Sequence, residues 1–380
     1  MRILHTSDWH LGKRLFKLDR GPEHQHFLNW LIQTLIEKKI DVLLIAGDVF
    51  DVPTPPHQSL EVFYEFLHRV STETKTETFI IAGNHDSGLL LEAPSKLLSP
   101  HRIKVWGKLS PNHEDHWIKI EKEGEVLEIC AIPFFRSYEL LPQGEGDALV
   151  ALKKYVTKIK THPQLLMLHH LAGMYEAAGS EQVISLSGVE SIPVEVIKSF
   201  DYVALGHIHK PQKISDQSYY SGSPIPLRFS ETKSKSVIII ELKNGKMNSE
   251  LLSIPLSRAL HILKVSESDW KAKMAALEAK TPLTSMVEVQ ITLTAPRVGL
   301  IDEIKDQLEK QGMELLSYLP FYSQAERSEK RHEKLFELSP LELFEEFYKT
   351  KYPDSPEVPH ELKDDFKNLL EKARHATSQT

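Results

Sequence analysis

The sequence predicts an α/β fold whose central strands are covered on both faces by helices. Short apolar runs of strand length alternate with segments that place apolar residues at helical spacing. The runs are almost wholly apolar, which is typical of strands buried on both faces of a sheet. The predicted elements at the start of the chain are strands at 2–7, 40–46 and 78–82 and helices at 23–38 and 58–70.

Length and composition favour a chain of several domains. Its 380 residues exceed the roughly 150 residues of an ordinary domain. The apolar runs are far shorter than the ~18 residues of a membrane span, and the N-terminus lacks the long apolar region of a signal peptide. The single cysteine, Cys130, excludes an intramolecular disulfide framework and any metal site built from cysteines. We therefore expect a cytoplasmic protein without a membrane contact, in which nitrogen and oxygen hold any metal ion.

Polar clusters follow five of the apolar runs, at the point where each run ends. Ligand sites of α/β sheets lie at the carboxyl ends of the strands, so five such clusters predict one common site. The glycines before Asp48, Asn84 and His207 fit sharp turns and close backbone approach. Alternate residues of an extended segment point the same way, so Asp8 and His10 can face one ion. The clusters are Asp8-Trp9-His10, Gly47 to Asp51, Gly83-Asn84-His85-Asp86, His169-His170 and Gly206-His207-Ile208-His209.

The donor types in these clusters are carboxylate, imidazole and amide, with no thiolate. This set suits Mn²⁺ or Mg²⁺, and the histidines would also allow Fe²⁺ or Zn²⁺. An isolated histidine is usually a capping or surface group, and we interpret His5, His68, His113 and His116 in that way. Isolated polar residues do not explain five ordered clusters, so we predict a metal site.

The order and spacing of the clusters resemble the calcineurin-like metallophosphoesterase pattern, which runs D-x-H, GD-x-x-D, GNHD, H and GH-x-H. The resemblance implies a four-layer αββα sandwich with a two-metal centre between its facing sheets. The ligands implied by the motifs are Asp8, His10 and His209 for the first ion, Asn84, His169 and His207 for the second, and Asp48 as the bridge between both. His170 is an alternative to the adjacent His169.

Three further residues of the motifs have expected roles beside the ligands. His85 could donate a hydrogen bond or a proton to the leaving oxygen, as general acid or transition-state stabiliser. Two ions would lower the pKa of a bridging water, which could then attack phosphorus in line. We expect Asp51 and Asp86 to orient neighbouring groups rather than to bind metal. Cys130 lies in an apolar strand-like segment, and we expect it in the core.

Further segments resemble the SbcD subfamily of nuclease subunits. They are the start MRILHTSDWHLGK, the GDVFD segment followed by Pro53, Pro55 and Pro56, and the segment ALGHIHKPQ. The resemblance spans nearly the whole chain. It implies an Mn²⁺-dependent exonuclease on duplex DNA ends and an endonuclease on single strands or hairpins, acting in repair and recombination. It also implies a homodimer and a partner ATPase of the SbcC type, which carries long coiled coils.

The chain divides into four predicted regions. Residues 1–256 form the phosphodiesterase domain, and residues 257–322 form a small α+β module that, by resemblance, caps the active site. Residues 323–337 are polar and predict a linker. Residues 338–380 hold two amphipathic helices, which either pack on their own domain or dock on the partner ATPase.

A basic loop follows the first cluster and could contact the phosphates of DNA. Its residues are Lys13, Arg14, Lys17 and Arg20, and the alternative is that they are only solvated charges. The net charge of -7 does not favour DNA by itself. Part of this acidity belongs to the C-terminal helices, and part belongs to ligands whose charge two divalent cations would offset.

Two rival functions follow from the same residues. A phosphatase or phosphodiesterase for small molecules shares the site, but it needs neither a capping module nor terminal amphipathic helices. A structural subunit with a vestigial site would not retain all seven implied ligands and His85. Both rivals are therefore less favoured than the nuclease.

Overall fold

The computed structural model describes residues 1–141, 146–177, 191–231, 234–278, 280–322, 340–352, 357–360, 362–367 and 370. The predicted linker lies outside the described residues, as does part of the predicted C-terminal segment.

The strands and helices follow the predicted alternation. The strands are β1 (Arg2–Thr6), β2 (Arg14–Leu15), β3 (Leu18–Asp19), β4 (Val42–Ala46), β5 (Glu77–Ile81), β6 (Ile103–Trp106), β7 (Trp117–Lys122), β8 (Glu125–Ile132), β9 (Gln164–His169), β10 (Tyr202–Gly206), β11 (Gln212–Lys213), β12 (Ser218–Tyr220), β13 (Ser236–Lys243), β14 (Lys246–Ser253), β15 (Leu260–Ser266), β16 (Ser285–Leu293) and β17 (Met313–Tyr322). The α-helices are α1 (Gly21–Glu37), α2 (His57–Glu73), α3 (Gly88–Glu92), α4 (Ser95–Leu98), α5 (Ser137–Leu140), α6 (Ala148–Val156), α7 (Val194–Ile197), α8 (Trp270–Ala275), α9 (Leu300–Glu309) and α10 (Pro340–Lys351).

Two six-stranded sheets form the large domain. The strand order is β14-β13-β1-β4-β5-β6 in the first sheet and β11-β12-β10-β9-β8-β7 in the second. Strands β1, β4, β5 and β6 run parallel, and the β13–β14 hairpin adds antiparallel to β1. In the second sheet β8, β9, β10 and β12 run parallel, with β7 and β11 as antiparallel edges. The carboxyl ends of the parallel strands therefore gather at one edge of each sheet.

Apolar side chains of both sheets share one middle layer. Leu44 and Ile81 of the first sheet are buried with Met167 and Ala204 of the second. Because strands covered on both faces have no solvent side, their sequences are apolar throughout rather than alternating. Cys130 of β8 is fully buried, as predicted.

Helices cover the outer face of each sheet. Helices α1 and α2 bury residues such as Leu31 and Phe63 on the first sheet. Helices α6 and α7 bury Leu152 and Ile197 on the second. The layers therefore run helix, sheet, sheet, helix, which confirms the predicted four-layer αββα sandwich.

Two of the histidines interpreted as capping or surface groups are instead buried. Nδ1 of His5 lies 3.0 Å from the hydroxyl of Tyr202. Nδ1 of His116 lies 2.7 Å from the carbonyl oxygen of Ala131. Both side chains are fully shielded from solvent. A histidine can thus be buried wherever a neighbouring strand offers a hydrogen-bond partner, which the spacing of residues along the chain does not reveal.

The small module places two helices on a three-stranded sheet of order β15-β16-β17. Its elements alternate as strand, helix, strand, helix, strand, and the sheet is wholly parallel. Trp270 and Met274 of α8 and Ile304 and Leu308 of α9 are buried on it. Helix α8 ends at Ala275, and Leu277 beyond it still packs against the core of the module.

The C-terminal region pairs α10 with residues 362–367, which are helical. The rings of Phe344 and Phe366 stack with centroids 4.2 Å apart. Nζ of Lys363 lies 2.7 Å from the Glu345 carboxylate. Among the residues that the structure describes, no helix combines the length and the hydropathy that crossing a bilayer requires.

Candidate metal centre

The five polar clusters meet where the parallel strands of both sheets end. Asp8, Asp48 and Asn84 follow β1, β4 and β5 of the first sheet, while His169 ends β9 and His207 follows β10 of the second. Neighbouring strand ends lie side by side, since Ala46 pairs with Ile81 and Gly206 with His169. The strand register thus brings together residues that are up to 201 positions apart in the chain.

One half of the pocket is formed by Asp8, His10 and His209. One ligand atom from each lies within 4.8 Å of the others, and all three side chains are buried. Nε2 of His10 lies 3.1 Å from Nε2 of His209, and the two rings meet edge to face. These donors converge on one point, as ligands of a cation do.

The other half is formed by Asp48, His169 and His207, again with one ligand atom each within 4.8 Å. Oδ1 of Asn84 lies 3.0 Å from Nε2 of His169 and 2.8 Å from Nδ1 of His207. Nδ1 of His169 donates to the carbonyl oxygen of Ala46 at 2.7 Å, because a carbonyl can only accept. Burial acts to lower the pKa of His169, but the charge of Asp48 outweighs burial and raises it to about 9. If the ring gives up that proton to bind a cation, the hydrogen bond to Ala46 keeps the remaining proton on Nδ1 and leaves Nε2 as the ligand atom.

Asp48 lies between the two halves. Its Oδ2 is 3.5 Å from Nε2 of His10 and 3.4 Å from Nε2 of His169. Burial acts to raise the pKa of Asp48, but the charges of His169, His10 and His85 outweigh burial and hold the pKa well below its usual value. The carboxylate therefore stays ionised and can contact both halves at once.

The pocket is built on strained backbone. Asp8, His10, Asp48 and His207 have φ angles of 54°, 49°, 51° and 102°. Left-handed conformations are uncommon for residues with a side chain, and they persist where the surroundings fix them. Here the Asp8 N–H donates to the carbonyl of Gly47, and the His207 N–H donates to Oδ1 of Asp8, at 3.0 and 2.9 Å. The strain coincides with the predicted ligands.

Three glycines make room for this crowding. A Cβ on Gly47 would lie 2.2 Å from Nδ1 of His169, and one on Gly83 would lie 2.2 Å from Oδ1 of Asp48. A Cβ on Gly206 would lie 1.9 Å from the carbonyl oxygen of Ala46 in the facing sheet. These distances confirm that the glycines of the motifs are needed for close approach.

Asp51 and Asp86 contact the pocket from outside. Oδ1 of Asp51 is 3.3 Å from Nδ1 of His10 and 2.9 Å from Nζ of Lys13. Asp86 accepts the N–H groups of Val49, Phe50 and Gly83 at 2.8–3.2 Å, so that it ties the loops after β4 and β5 together. Burial and the charge of Asp48 raise the pKa of Asp86 to about 6.

His85 lies beside the first half of the pocket and is half-buried. Its backbone N–H donates to Oδ1 of Asp48 at 2.8 Å, and its Nδ1 donates to the carbonyl oxygen of Asp51 at 2.8 Å. The ring centroids of His85 and His10 are 4.7 Å apart. The Nδ1 hydrogen bond fixes the ring and leaves Nε2 as the nitrogen that can meet a substrate.

The structure distinguishes between the two adjacent histidines of the fourth cluster. His170 lies between the rings of Phe134 and Phe135, with centroids 4.9 and 4.1 Å away. Its Nε2 accepts the N–H of Phe135, and burial lowers its pKa well below the usual value. Within the described residues, His169 and not His170 contacts the other predicted ligands.

The basic loop is only partly exposed. Arg14 and Lys17 face solvent, and Lys13 is half-buried against Asp51. Arg20 is fully buried, and its Nε lies 2.6 Å from Oε1 of Glu23. The side chain of Arg20 therefore does not face solvent in this structure, and its contact with DNA stays a prediction.

Sequence reasoning missed two residues that touch the predicted ligands, Ser7 and Glu231, and a third, Ser221, that contacts Ser7. Ser7 donates a hydrogen bond to Oδ2 of Asp8 and lies 2.8 Å from the hydroxyl of Ser221. Oε1 of Glu231 lies 3.8 Å from Nδ1 of His209. Ser7 could have been found from its position beside Asp8, whereas Ser221 and Glu231 come from loops with no motif.

The donor set fits divalent cations. It offers carboxylate, imidazole and amide donors, and Asp48 reaches both halves of the pocket. Buried charge and facing imidazole nitrogens are unfavourable without a compensating cation. Hard and borderline divalent ions prefer these ligand types.

Comparison with families and proteins of known sequence gives two matches that together span most of the chain. The calcineurin-like phosphoesterase family matches residues 1–211. The type 5 capsule protein repressor C-terminal domain, SbcD_C, matches residues 257–352.

Individual relatives are similar over comparable lengths. The SbcD component of the SbcCD nuclease from Escherichia coli strain K12 is 30% identical over 373 residues, which cover 90% of this chain and 92% of that protein. Its counterpart from Rhodobacter capsulatus is 33% identical over 292 residues, which cover 70% and 71%. A solved dimetal phosphatase from Danio rerio matches with a TM-score of 0.42 at 15% identity, covering 67% of this chain and 98% of that chain.

Proposed function

Because the chain belongs to the calcineurin-like phosphoesterase family and, within it, to the SbcD nuclease subunits, we propose that it hydrolyses phosphodiester bonds of DNA with two divalent cations. Family membership makes it a metal-dependent phosphodiesterase and the nuclease subunit of an SbcCD complex. The observation that carries the two-cation proposal is the meeting of the predicted ligands in one buried pocket at the ends of both sheets.

We propose that Asp8, His10 and His209 hold one cation, that Asn84, His169 and His207 hold the other, and that Asp48 bridges them. Mn²⁺ suits this mixture of oxygen and imidazole donors, and Mg²⁺ is the alternative. When bound, the cations would lower the pKa of a water and polarise the phosphoryl group. The hydrogen bond from His169 to the carbonyl of Ala46 supports this assignment, because it orients Nε2 as a ligand.

His85 is the proposed general acid or transition-state stabiliser. Because Nδ1 already donates to the carbonyl of Asp51, a proton given from Nε2 implies an imidazolium. The contact between the His85 N–H and the Asp48 carboxylate fixes the distance between this ring and the bridging ligand. His85 would thus deliver a hydrogen bond or a proton to the leaving oxygen.

The proposed substrate is DNA, cut from duplex ends as an exonuclease and within single strands or hairpins as an endonuclease, in repair and recombination. Arg14 and Lys17 would contact backbone phosphates, with Lys13 nearer the pocket. Leu15 of the same loop packs with Leu260 and Met286 of the small module. This contact supports the proposal that residues 257–322 cap the site and shape which DNA ends can enter.

The proposed partner is an SbcC-like coiled-coil ATPase, held by the C-terminal helices. The ring stack of Phe344 on Phe366 makes a helical pair whose Leu343, Phe347 and Tyr352 remain exposed. Such an apolar stripe suits the groove of a helical partner. We also propose a homodimer, which would act in the cytoplasm at the bacterial nucleoid.

The test compares cleavage of linear duplex DNA with cleavage of a nitrophenyl phosphodiester, each with Mn²⁺. We expect wild type to cut DNA and His85→Ala to lose DNA cleavage. The matched control His68→Ala changes an exposed histidine of α2 and should leave both activities unchanged. DNA cleavage by His85→Ala at the wild-type rate would contradict the role of His85. Cleavage of the nitrophenyl ester without any DNA cleavage, even with the ATPase added, would favour the small-molecule phosphodiesterase.

A further inference from the structure

A cavity of about 270 Å³ lies between the start of α1 and the segment that joins β14 to β15. Its charged lining residues are Arg20, Glu23, Lys235 and Arg258, and Phe27 and Ile225 add apolar wall. None of these residues is a predicted metal ligand. The cavity lies at the junction of the large domain and the small module, because Arg258 lies two residues before β15.

Arg20 has an unmet hydrogen-bonding capacity in this cavity. Its side chain is 0% exposed, and its Nε donates to Oε1 of Glu23 at 2.6 Å. Nη1 and Nη2 have no hydrogen-bond partner within the part of the chain that the structure describes. A buried guanidinium with two unsatisfied nitrogens is unfavourable unless water or an ion meets them.

The charges around Arg20 do not balance. Nε of Arg258 donates to the same oxygen, Oε1 of Glu23, at 2.7 Å, so that two guanidinium groups share one carboxylate. Nζ of Lys235 lies 2.6 Å from Oε2 of Glu231, which balances that lysine. Among the described residues, the printed ion pairs thus join three cations to two carboxylates, and two of the cations are guanidinium groups that share Glu23. A buried positive charge in excess is costly unless an anion or water meets it.

We propose that this cavity binds a tetrahedral oxyanion on the Nη1 and Nη2 groups of Arg20. The two nitrogens form a planar fork that matches two oxygens of a phosphate, whereas a chloride ion offers only one point of contact. The ligand is orthophosphate or the phosphoryl end of a nucleotide. Oε2 of Glu23 also has no partner among the described residues, so water shares the cavity with the anion.

The bound anion would strengthen the junction of the two domains. Arg258 donates from Nη1 to the carbonyl oxygen of Thr284 at 2.6 Å, directly before the central strand β16 of the small module. Neutralising the surplus charge lets Arg20 and Arg258 share Glu23 with less repulsion. Nζ of Lys235 donates to the carbonyl oxygen of His209 at 3.1 Å, so the same wall adjoins the backbone of a predicted metal ligand.

A structure with a heavy oxyanion tests the location directly. Crystals of the full chain grown with sodium selenate would reveal selenium by its anomalous scattering. We expect a selenium peak within hydrogen-bond reach of Nη1 and Nη2 of Arg20. A cavity that holds only water at high selenate concentration would overturn the proposal. This measurement needs no variant and is independent of nuclease activity.

A binding measurement tests whether Arg20 and Arg258 hold the anion. Orthophosphate is titrated into the full chain at constant ionic strength. We expect Arg20→Gln and Arg258→Gln to weaken the phosphate-dependent rise of the unfolding midpoint, with Kd at least about tenfold higher. Arg69→Gln is the matched control, because Arg69 also pairs with a glutamate, at 2.7 Å on the surface. Phosphate bound at the metal centre contributes equally to all of these proteins and cancels in the comparison.

If Arg20→Gln does not fold, Arg20→Lys takes its place, because lysine keeps the positive charge but lacks the two Nη groups of the guanidinium. We expect it to bind phosphate as weakly as Arg20→Gln. Titration with dAMP distinguishes the two sources of ligand: a wild-type Kd equal to that of orthophosphate indicates the phosphoryl end of a nucleotide, and a much weaker one indicates the free ion. Equal phosphate binding by wild type and both Arg20 variants would refute the site.

Discussion

The middle layer of the sandwich and the pocket at its edge are built from the same strands but differ in side-chain polarity and in backbone conformation. In the middle layer, Leu44, Ile81 and Met167 are fully buried apolar residues on regular strands. A few residues further on, Asp8 and Asp48 are buried charges on left-handed backbone. Burial of the middle layer stabilises the fold, and the folded strands hold the pocket residues in place. Functional residues are expected where buried charge and unusual backbone conformation occur beside a well-packed core.

We therefore predict that substitutions in the pocket reduce the catalytic rate, whereas substitutions in the middle layer reduce the free energy of unfolding. Asp48→Asn should have the largest effect. It removes the charge that lies 3.5 Å from His10 and 3.4 Å from His169, and thus the anion that both halves share. Metal ions supply several kcal/mol of transition-state stabilisation, so we expect the Mn²⁺-dependent rate to fall by about a thousandfold or more.

The measurement for Asp48→Asn is the rate with a nitrophenyl phosphodiester, with bound Mn²⁺ determined alongside. Asp41→Asn is the matched control, since Asp41 is a carboxylate at the opposite end of the same strand and pairs with Lys122. An Asp48→Asn protein that keeps both its metal and its rate would show that the pocket does not depend on the shared carboxylate.

Asp51→Asn should have the next largest effect. Asp51 accepts from Lys13 and lies 3.3 Å from Nδ1 of His10, so it orients that ring without reaching the second half of the pocket. Residues that orient metal ligands typically contribute 10–100-fold in affinity or activity. We expect a loss of about that size, together with weaker Mn²⁺ binding in a titration. A loss as large as that of Asp48→Asn would instead indicate that Asp51 is itself a ligand.

The two regions also differ in how far they could be predicted from the sequence. The apolar runs and the five clusters predicted the sandwich and the meeting of distant residues, because strand order alone brings carboxyl ends together. Which of His169 and His170 faces the pocket depends on the strand's rotation, which an entirely apolar run leaves open. Arg20 shares its partner Glu23 with the distant Arg258, and Glu231 lies beside His209, so no local pattern indicates the surroundings of either residue.

Met167→Ala tests the other side of the comparison. Met167 is fully buried in β9, two residues before His169. Removing a large buried side chain costs about 2–5 kcal/mol of stability. We expect the free energy of unfolding in urea to fall by that amount, while the folded protein keeps its rate with the nitrophenyl ester. A fall in rate beyond about threefold at full folding would show that the middle layer also sets the geometry of the pocket.

His5 gives the smallest effect and the sharpest contrast, because it is a buried histidine of β1 that belongs to the layer. Burial lowers its pKa from 6.5 to about 3. The unfolded chain therefore takes up a proton on His5 below about pH 6.5, while the folded chain does not. This group then reduces the free energy of unfolding by up to about 1.4 kcal/mol per pH unit as the pH falls from 6.5 towards 3.

His5→Gln keeps a group that can meet the hydroxyl of Tyr202 but cannot be protonated. We expect the variant to unfold with a shallower loss of stability between pH 6.5 and 5 than wild type, and to match the wild-type rate at pH 7.5. Urea unfolding at several pH values measures the slope. His68→Gln is the control, because an exposed histidine is hydrated in both states. A slope unchanged by His5→Gln would mean that His5 can be protonated inside the folded layer, and the division between layer and pocket would then not extend to their histidines.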